Sequence, residues 1–257
     1  MSQTANPASL LTPVLDLAAK AGAAILTHYR SDIEVRSKAD ASPVTAADEE
    51  AESIIIEGLR RLTPDIPIVS EEAFARGEIP PTAPPCFWLV DPLDGTKEFL
   101  KHNGEFTVNI ALIEHKRPVL GVVAAPALSL AYAGAGPGNA REWRNGTARA
   151  ITVRKVPAQG LTVVASRSHG DSDALGRWLA GRNVVETRQA GSSLKFCLVA
   201  AGEADFYPRF GRTMEWDTAA GHALLAAAGG RVRTLAGEEL RYGKAGFENP
   251  HFIASAE

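Results

Sequence analysis

The sequence is poor in cysteine and methionine, with two of each, and aromatic residues make up only 7% of it. Two cysteines, Cys86 and Cys197, build neither a disulfide framework nor a ligand-spaced pair, which fits a reducing compartment. Both fall in apolar runs and read as core. Basic residues are not in excess: 27 Lys and Arg against 30 Asp and Glu leave a net charge of −3. That balance argues against a nucleic-acid-coating surface but leaves room for a local basic pocket. No run reaches the roughly 18 apolar residues of a membrane span, and the N-terminus lacks the pattern of a signal peptide. The expectation is a soluble, cytoplasmic protein without an integral membrane segment. Internal repeats are missing too, and the glycine-rich stretch 134–138 lacks the spacing and following helix of a nucleotide-binding loop.

What is present is the composition of an ordinary globule, 45% apolar and 22% charged over 257 residues. That length serves one large domain or two small ones. Helical spacing of Leu10, Val14, Leu17, Ala21 and Ile25 predicts a helix from Pro7 or Pro13 to about Arg30, with His28 serving its C-terminus. A short strand near Ile33 to Val35 is expected next, and then a second helix opened by Val44-Thr-Ala-Ala-Asp48 and running to about Arg61. There Thr45 and Asp48 read as a capping pair, and Asp48 also reads as a carboxylate leaning toward a metal. Ile66 to Val69 reads as a strand ending at Ser70-Glu71-Glu72, and residues 80–85 as a proline-rich loop.

The densest chemistry lies in Phe87-Trp-Leu-Val-Asp91-Pro-Leu-Asp94-Gly-Thr96-Lys-Glu-Phe99. An apolar run of buried-strand type ends at Asp91-Pro92, where proline is expected to stop the ladder. Two carboxylates, a glycine and a hydroxyl follow at one point. Gathered carboxylates suit a hard cation such as Mg²⁺, and free N–H groups after them suit a phosphate oxygen. Asp-Pro and Asp-Gly are also ordinary turn formers, so a bare turn is the alternative. An aspartyl-phosphate mechanism would want its aspartates two apart on one strand face, and here they are three apart.

Antiparallel strands are expected over Thr107 to Ile113, Val119 to Pro126 and Leu130 to Ala135, with a hairpin at Trp143-Arg-Asn145-Gly146. Beyond about residue 155 strands and helices alternate, dividing the chain into an N-terminal α+β unit, 1–155, and a smaller α/β unit, 156–257. In the second unit helices are expected over Asp171 to Ala180, Ser193 to Ala200 and Trp216 to Ala228, and strands over Leu161 to Ala165, Val184 to Val185 and Ala204 to Tyr207. Gly191-Ser-Ser-Leu-Lys195 reads either as an anion-binding helix start or as simple N-capping by Ser192 or Ser193. Glu215-Trp-Asp217 opens a helix rich in small residues, suited to close packing.

Val44-Thr-x-x-Asp48, Glu71-Glu72, the DPLDGT hexapeptide and Trp216-Asp217-x-Ala-Ala-Gly221 occur in one order, and together they resemble the Mg²⁺-dependent, lithium-sensitive inositol monophosphatase superfamily. The resemblance spans about residues 10–254. DGTKEF, the stretch from Gly191 to Gly211 and EWDTAAGH narrow it to the 3'(2'),5'-bisphosphate nucleotidase branch. It implies a layered α-β-α-β-α sandwich of the inositol monophosphatase/fructose-1,6-bisphosphatase type. It implies one Mg²⁺ held by Glu71, Asp91 and the Leu93 carbonyl, a second by Asp91, Asp94 and Asp217, and a weaker third supported by Asp48. Gly95 and Thr96 would receive the phosphate on backbone N–H groups. Lys195 and Arg209, with Ser192, Ser193 and His169 nearby, would contact the nucleotide's 5' side. Glu71 with Thr96 would orient the attacking water, without a covalent phospho-enzyme.

The implied reaction takes adenosine 3',5'-bisphosphate to AMP and phosphate in sulfate assimilation, with Li⁺ inhibitory. An inositol or other sugar-phosphate phosphatase on the same scaffold is the alternative, and a non-catalytic metal- or nucleotide-binding regulator a remote one. Oligomeric state stays open, a homodimer included, as does peripheral association with the inner membrane.

Overall fold

The computed structural model describes residues 6–29, 35–37, 43–78, 84–167 and 171–257. Along the chain run α1 (Pro7–Tyr29), β1 (Val35–Ser37), β2 (Pro43–Thr45), α2 (Ala46–Leu62), β3 (Ile68–Ser70), α3 (Glu71–Ala75) and β4 (Cys86–Asp94). Next come α4 (Thr96–Leu100), β5 (Thr107–Glu114), β6 (Arg117–Ala125), β7 (Leu130–Ala135), β8 (Ala140–Arg144) and β9 (Thr147–Ala150). The remainder is β10 (Leu161–Ser166), α5 (Ser172–Leu179), β11 (Val184–Ala190), α6 (Leu194–Ala200), β12 (Phe206–Arg209), α7 (Ala219–Ala227), β13 (Arg231–Thr234) and β14 (Phe252–Ser255).

Strands β3 to β9 form one seven-stranded sheet in sequential order, antiparallel apart from the β3–β4 pair. The second sheet has five strands in the order β11-β10-β12-β14-β13. Helices α1 and α2 cover one face of the large sheet, while α7 packs on the other, and α6 and α7 reach the small sheet from between the two. Beyond the small sheet, Trp178 of α5 meets Phe206 of β12 at a ring distance of 5.6 Å. The layers are thus α-β-α-β-α, as the resemblance implied.

A sheet covered on both faces wants apolar side chains at every position, which is why Phe87 to Val90 read as one continuous run. Alternation sorts them: Phe87 and Leu89 join the core around α6 and α7, Trp88 and Val90 the core against α1 and α2. Helix α1 is long and apolar enough to cross a membrane by composition, yet its apolar stripe is buried in this second core. It begins with Pro7, where a missing N–H costs nothing, so Pro13 lies inside it. His28, expected to serve its own helix end, instead lies 2.6 Å from Glu50 Oε2 on α2. The strand expected near residue 33 is described only as Val35–Ser37, and the expected loop at 80–85 falls largely outside the described residues.

Close approach of α7 to the large sheet explains two glycines. Gly121 and Gly134 are register partners on β6 and β7. A Cβ on Gly121 would run into the Ala220 carbonyl oxygen and lie 2.8 Å from Ala223 Cβ, and one on Gly134 would lie 2.8 Å from Ala227 Cβ. The Ala-rich face of α7 thus sits directly on a two-glycine floor. Gly121→Ala should cost about 3 kcal/mol by overpacking, lowering Tm by roughly 6–12 °C in a thermal melt. An unchanged Tm would mean that α7 does not rest on this floor.

Candidate active site

The central motif departs from expectation in an informative way. Strand β4 does not stop at Pro92 but continues to Asp94, with a register shift between Asp91 and Asp94. Asp91 pairs with Asn109 and Asp94 with Thr107, so one residue on β4 is extra, and the bulge absorbs the proline. On a regular strand, residues three apart face opposite sides. The bulge brings Asp91 and Asp94 to the same cavity. The Leu93 N–H donates to Asp91 Oδ1 at 3.1 Å, fixing the turn of the bulge. Gly95 then takes φ 91° and ψ 45°, a left-handed conformation suited to glycine, and caps the short helix α4. Its first N–H groups have no acceptor within the helix.

Glu71 reaches the site from α3, a five-residue helix that local sequence did not announce. Buried Glu52, one turn beyond Asp48 on α2, holds it. Ser70 Oγ donates to Glu52 Oε1, Ala73 N–H donates to the same oxygen at 3.1 Å, and Arg76 Nη2 donates to Oε2 at 2.9 Å. Asp217 was expected within a helix starting at Trp216, but α7 begins at Ala219 and Asp217 sits in the preceding turn. Met214 N–H donates to its Oδ2 at 2.8 Å.

Carboxylate oxygens of Glu71, Asp91 and Asp217 lie within 4.8 Å of one another. Burial, then Glu71, Asp94, Asp217 and Asp48 in turn, push the Asp91 carboxyl well above the ordinary carboxylate range. Burial, Asp94 and Glu71 do the same to Asp217, against an opposing pull from the Met214 N–H and Arg209. Buried acids of like charge on rigid elements form a hard, all-oxygen donor set, and a divalent cation is what relieves their repulsion.

A cavity of about 230 Å³ carries this cluster. Glu71, Asp91, Leu93, Asp94, Gly95, Thr96 and Asp217 line it, and so do Ser192, Lys195 and Arg209. Asp48 is buried and close enough to raise Asp91. Lys195 is only 4% exposed; burial draws its ammonium down to about 8, with Asp94 pulling the other way. It donates to the carbonyls of Ser192 and Ala190 and lies 5.3 Å from the Tyr207 ring centre. Arg209 Nη2 donates to the Arg212 carbonyl at 3.0 Å. A second cavity of about 320 Å³ adjoins the first, sharing Ser166 and Arg209 as walls.

Neither Ser192 nor Ser193 caps α6 through its side chain, contrary to the capping alternative. They bridge to the carboxylate turns instead. Ser192 Oγ donates to the Asp94 carbonyl at 2.7 Å, and Ser193 Oγ lies 2.8 Å from the Asp217 carbonyl and 3.2 Å from Asp94 Oδ2. Ser193 therefore braces the site from behind rather than lining the cavity. His169 lies outside the described residues. Sequence reasoning also missed Thr107 and Asn109. Thr107 Oγ1 lies 3.0 Å from Ser192 Oγ, and Asn109 Nδ2 donates to Asp94 Oδ2 at 3.4 Å. Two polar residues at i and i+2 in an otherwise apolar strand were the available signal. Glu105 adds a further brace, accepting from Gly191 N–H at 2.8 Å and, bidentately, from Arg167.

Comparison with known proteins agrees with this geometry. The model of the inositol monophosphatase family matches residues 6–256. A 3'(2'),5'-bisphosphate nucleotidase CysQ of Escherichia coli is 51% identical over 249 residues, 96% of this chain and 99% of that protein. The CysQ of Buchnera aphidicola is 45% identical over 257 residues, covering 96% of this chain and 94% of its own length. Among solved structures, CysQ from Bacteroides thetaiotaomicron superposes with a TM-score of 0.81 at 38% identity, covering 96% of this chain and 97% of that one. An IMPase from Thermotoga maritima gives 0.75 at 28% identity, covering 94% and 90%. Match, architecture and acidic centre converge: this chain belongs to the inositol monophosphatase family.

Proposed function

We propose that this chain is a Mg²⁺-dependent 3'(2'),5'-bisphosphate nucleotidase that removes the 3'-phosphate of adenosine 3',5'-bisphosphate, leaving AMP. The observation that carries the reading is that one cavity holds both a carboxylate cluster and a buried cationic pair, Lys195 and Arg209. A substrate with two phosphates on one ribose would meet both groups. Inositol 1-phosphate has only hydroxyls to offer the second, and charge-assisted contacts to them are weaker than to phosphate.

Glu71, Asp91, Asp94, Asp217 and the Leu93 carbonyl would hold two ions, with Asp48 supporting a third. When bound, Mg²⁺ would neutralise charge on the phosphate and leaving oxygen and acidify the attacking water. This chain's residues supply the rest. The N–H groups at Gly95 and Thr96, at the start of α4, would receive phosphate oxygens, and Glu71 with the Thr96 hydroxyl would orient the water for in-line attack. Ser192 and Ser193 tie the turn before Lys195 to Asp94 and Asp217, so the two ends of the substrate would be measured against one frame. The neighbouring cavity, which shares Ser166 and Arg209 with the first, would take the nucleoside. Such a substrate would place the chain in sulfate assimilation, in the cytoplasm.

The test is phosphate release from adenosine 3',5'-bisphosphate and from inositol 1-phosphate under identical conditions, with Mg²⁺, with chelator and with Li⁺. Preference for the nucleotide, abolished by chelator and suppressed by Li⁺, is expected. Preference for inositol 1-phosphate would transfer the metal site to a sugar-phosphate phosphatase, and no release from either would favour a binding protein.

A further inference from the structure

Away from the catalytic cavity, a cleft of about 400 Å³ opens between the start of α1, the β5–β6 and β7–β8 turns and the flank of α7. Its walls are mostly apolar, from Pro7, Pro118, Val119, Ala135, Ala223 and Ala226. A cavity of roughly 150 Å³ already accommodates benzene, so a small ring fits. Asn6, Arg117, Glu239 and His222 are the polar members of the wall. His222 is 3% exposed and lines the cleft.

The protonation of that imidazole is fixed by a chain of hydrogen bonds. Thr218 Oγ1 donates its single proton to the Glu215 carbonyl at 3.2 Å, so toward its other neighbours it can only accept. It accepts from Asn249 Nδ2 at 3.1 Å and from the Tyr242 hydroxyl at 3.3 Å. With its own proton committed to Thr218, the Tyr242 oxygen accepts from His222 Nδ1, 3.0 Å away. His222 is therefore the Nδ1–H tautomer, and burial, by drawing its pKa down to about 3, keeps it neutral across the working range. Nε2 is then a bare lone pair. No described group donates to it, yet it is not among the sealed, unsatisfied atoms, so it opens on the cleft.

We infer that this cleft is a binding site for a small neutral molecule with a flat apolar body and one hydrogen-bond donor, of the phenol or indole type, which donates to His222 Nε2. The charges along the lining, Arg117 and Glu239, argue for neutrality. Arg117 and Arg241 each pair with Glu239 at 3.0 Å, leaving the trio with a net charge of +1. A cationic donor is disfavoured there, and a simple anion lacks the proton that Nε2 requires. At its other end the chain reaches Thr218, which lines the catalytic cavity.

The test is a titration of ¹⁵N-histidine-labelled protein with phenol, anisole and toluene, following the His222 ring nitrogens. Phenol should perturb Nε2 and bind roughly tenfold more tightly than anisole, which has similar bulk but no donor. Equal binding of phenol and anisole, or none by either, overturns the inference. Tyr242→Phe keeps the ring but removes the acceptor that selects the tautomer, so the preference should shrink toward equality. A preference that survives this change would also overturn the inference. Binding is read without turnover, so the result stands apart from the nucleotidase reading.

Discussion

Asp91→Asn should abolish phosphate release and, in metal-free protein at neutral pH, raise Tm rather than lower it. Asp91 is buried among four other acids, and its carboxyl is held well above the ordinary range. A carboxylate whose folded-state pKa is raised contributes stability below its unfolded value, near 3.8, and loses it as pH rises through the folded value. At neutral pH without metal, its ionisation therefore opposes folding. Asparagine keeps the Oδ1 acceptor for the Leu93 N–H while removing the charge. The same change takes away a proposed ligand to both ions, and with it several kcal/mol of transition-state stabilisation, roughly 10³-fold or more in rate. Melting curves in chelator and in Mg²⁺ separate the effects. Wild type should gain stability with Mg²⁺, and the variant should start higher and gain little. A variant that melts lower in chelator yet keeps the full Mg²⁺ response would make Asp91 a structural residue.

That site was chosen by its place on the fold, and much of the placement was legible in the chain. The apolar run before Asp91 announced a doubly covered strand because both cores draw on it. Asn145-Gly146 announced the two-residue hairpin between β8 and β9, and both residues take positive φ, 50° and 79°. The bulge at Pro92 was not legible, since its register is set by pairing with Thr107 and Asn109 on a separate strand. Helix α3 is too short to be stabilised by its own propensity and depends on Glu52, 18 residues before Ser70. The roles of Ser192 and Ser193 depend on acceptors about a hundred and 24 residues away in the chain. Local pattern thus identified which acids belong together. Long-range hydrogen bonds decided how they are held.

Lys195→Met and Arg209→Met should each raise KM for adenosine 3',5'-bisphosphate about 10–100-fold, the worth of a charge-assisted contact to phosphate, and leave hydrolysis of adenosine 3'-monophosphate nearly unchanged. The monophosphate differs only in lacking the group these cations are proposed to meet. Methionine retains an unbranched apolar stem, which preserves packing over Tyr207 better than alanine would. A second readout isolates Lys195. With its ammonium drawn down to about 8, it is charged below that pH and neutral above it. Wild-type KM for the bisphosphate should therefore climb as pH rises through about 8, while KM for the monophosphate stays flat, and Lys195→Met should lose the climb. Bound phosphate favours the charged form, so the titration belongs to the free enzyme and is read in kcat/KM rather than in kcat. Equal losses on both substrates, with no pH difference between them, would leave the two cations with only the backbone carbonyls they already meet and remove the ground for preferring a bisphosphate.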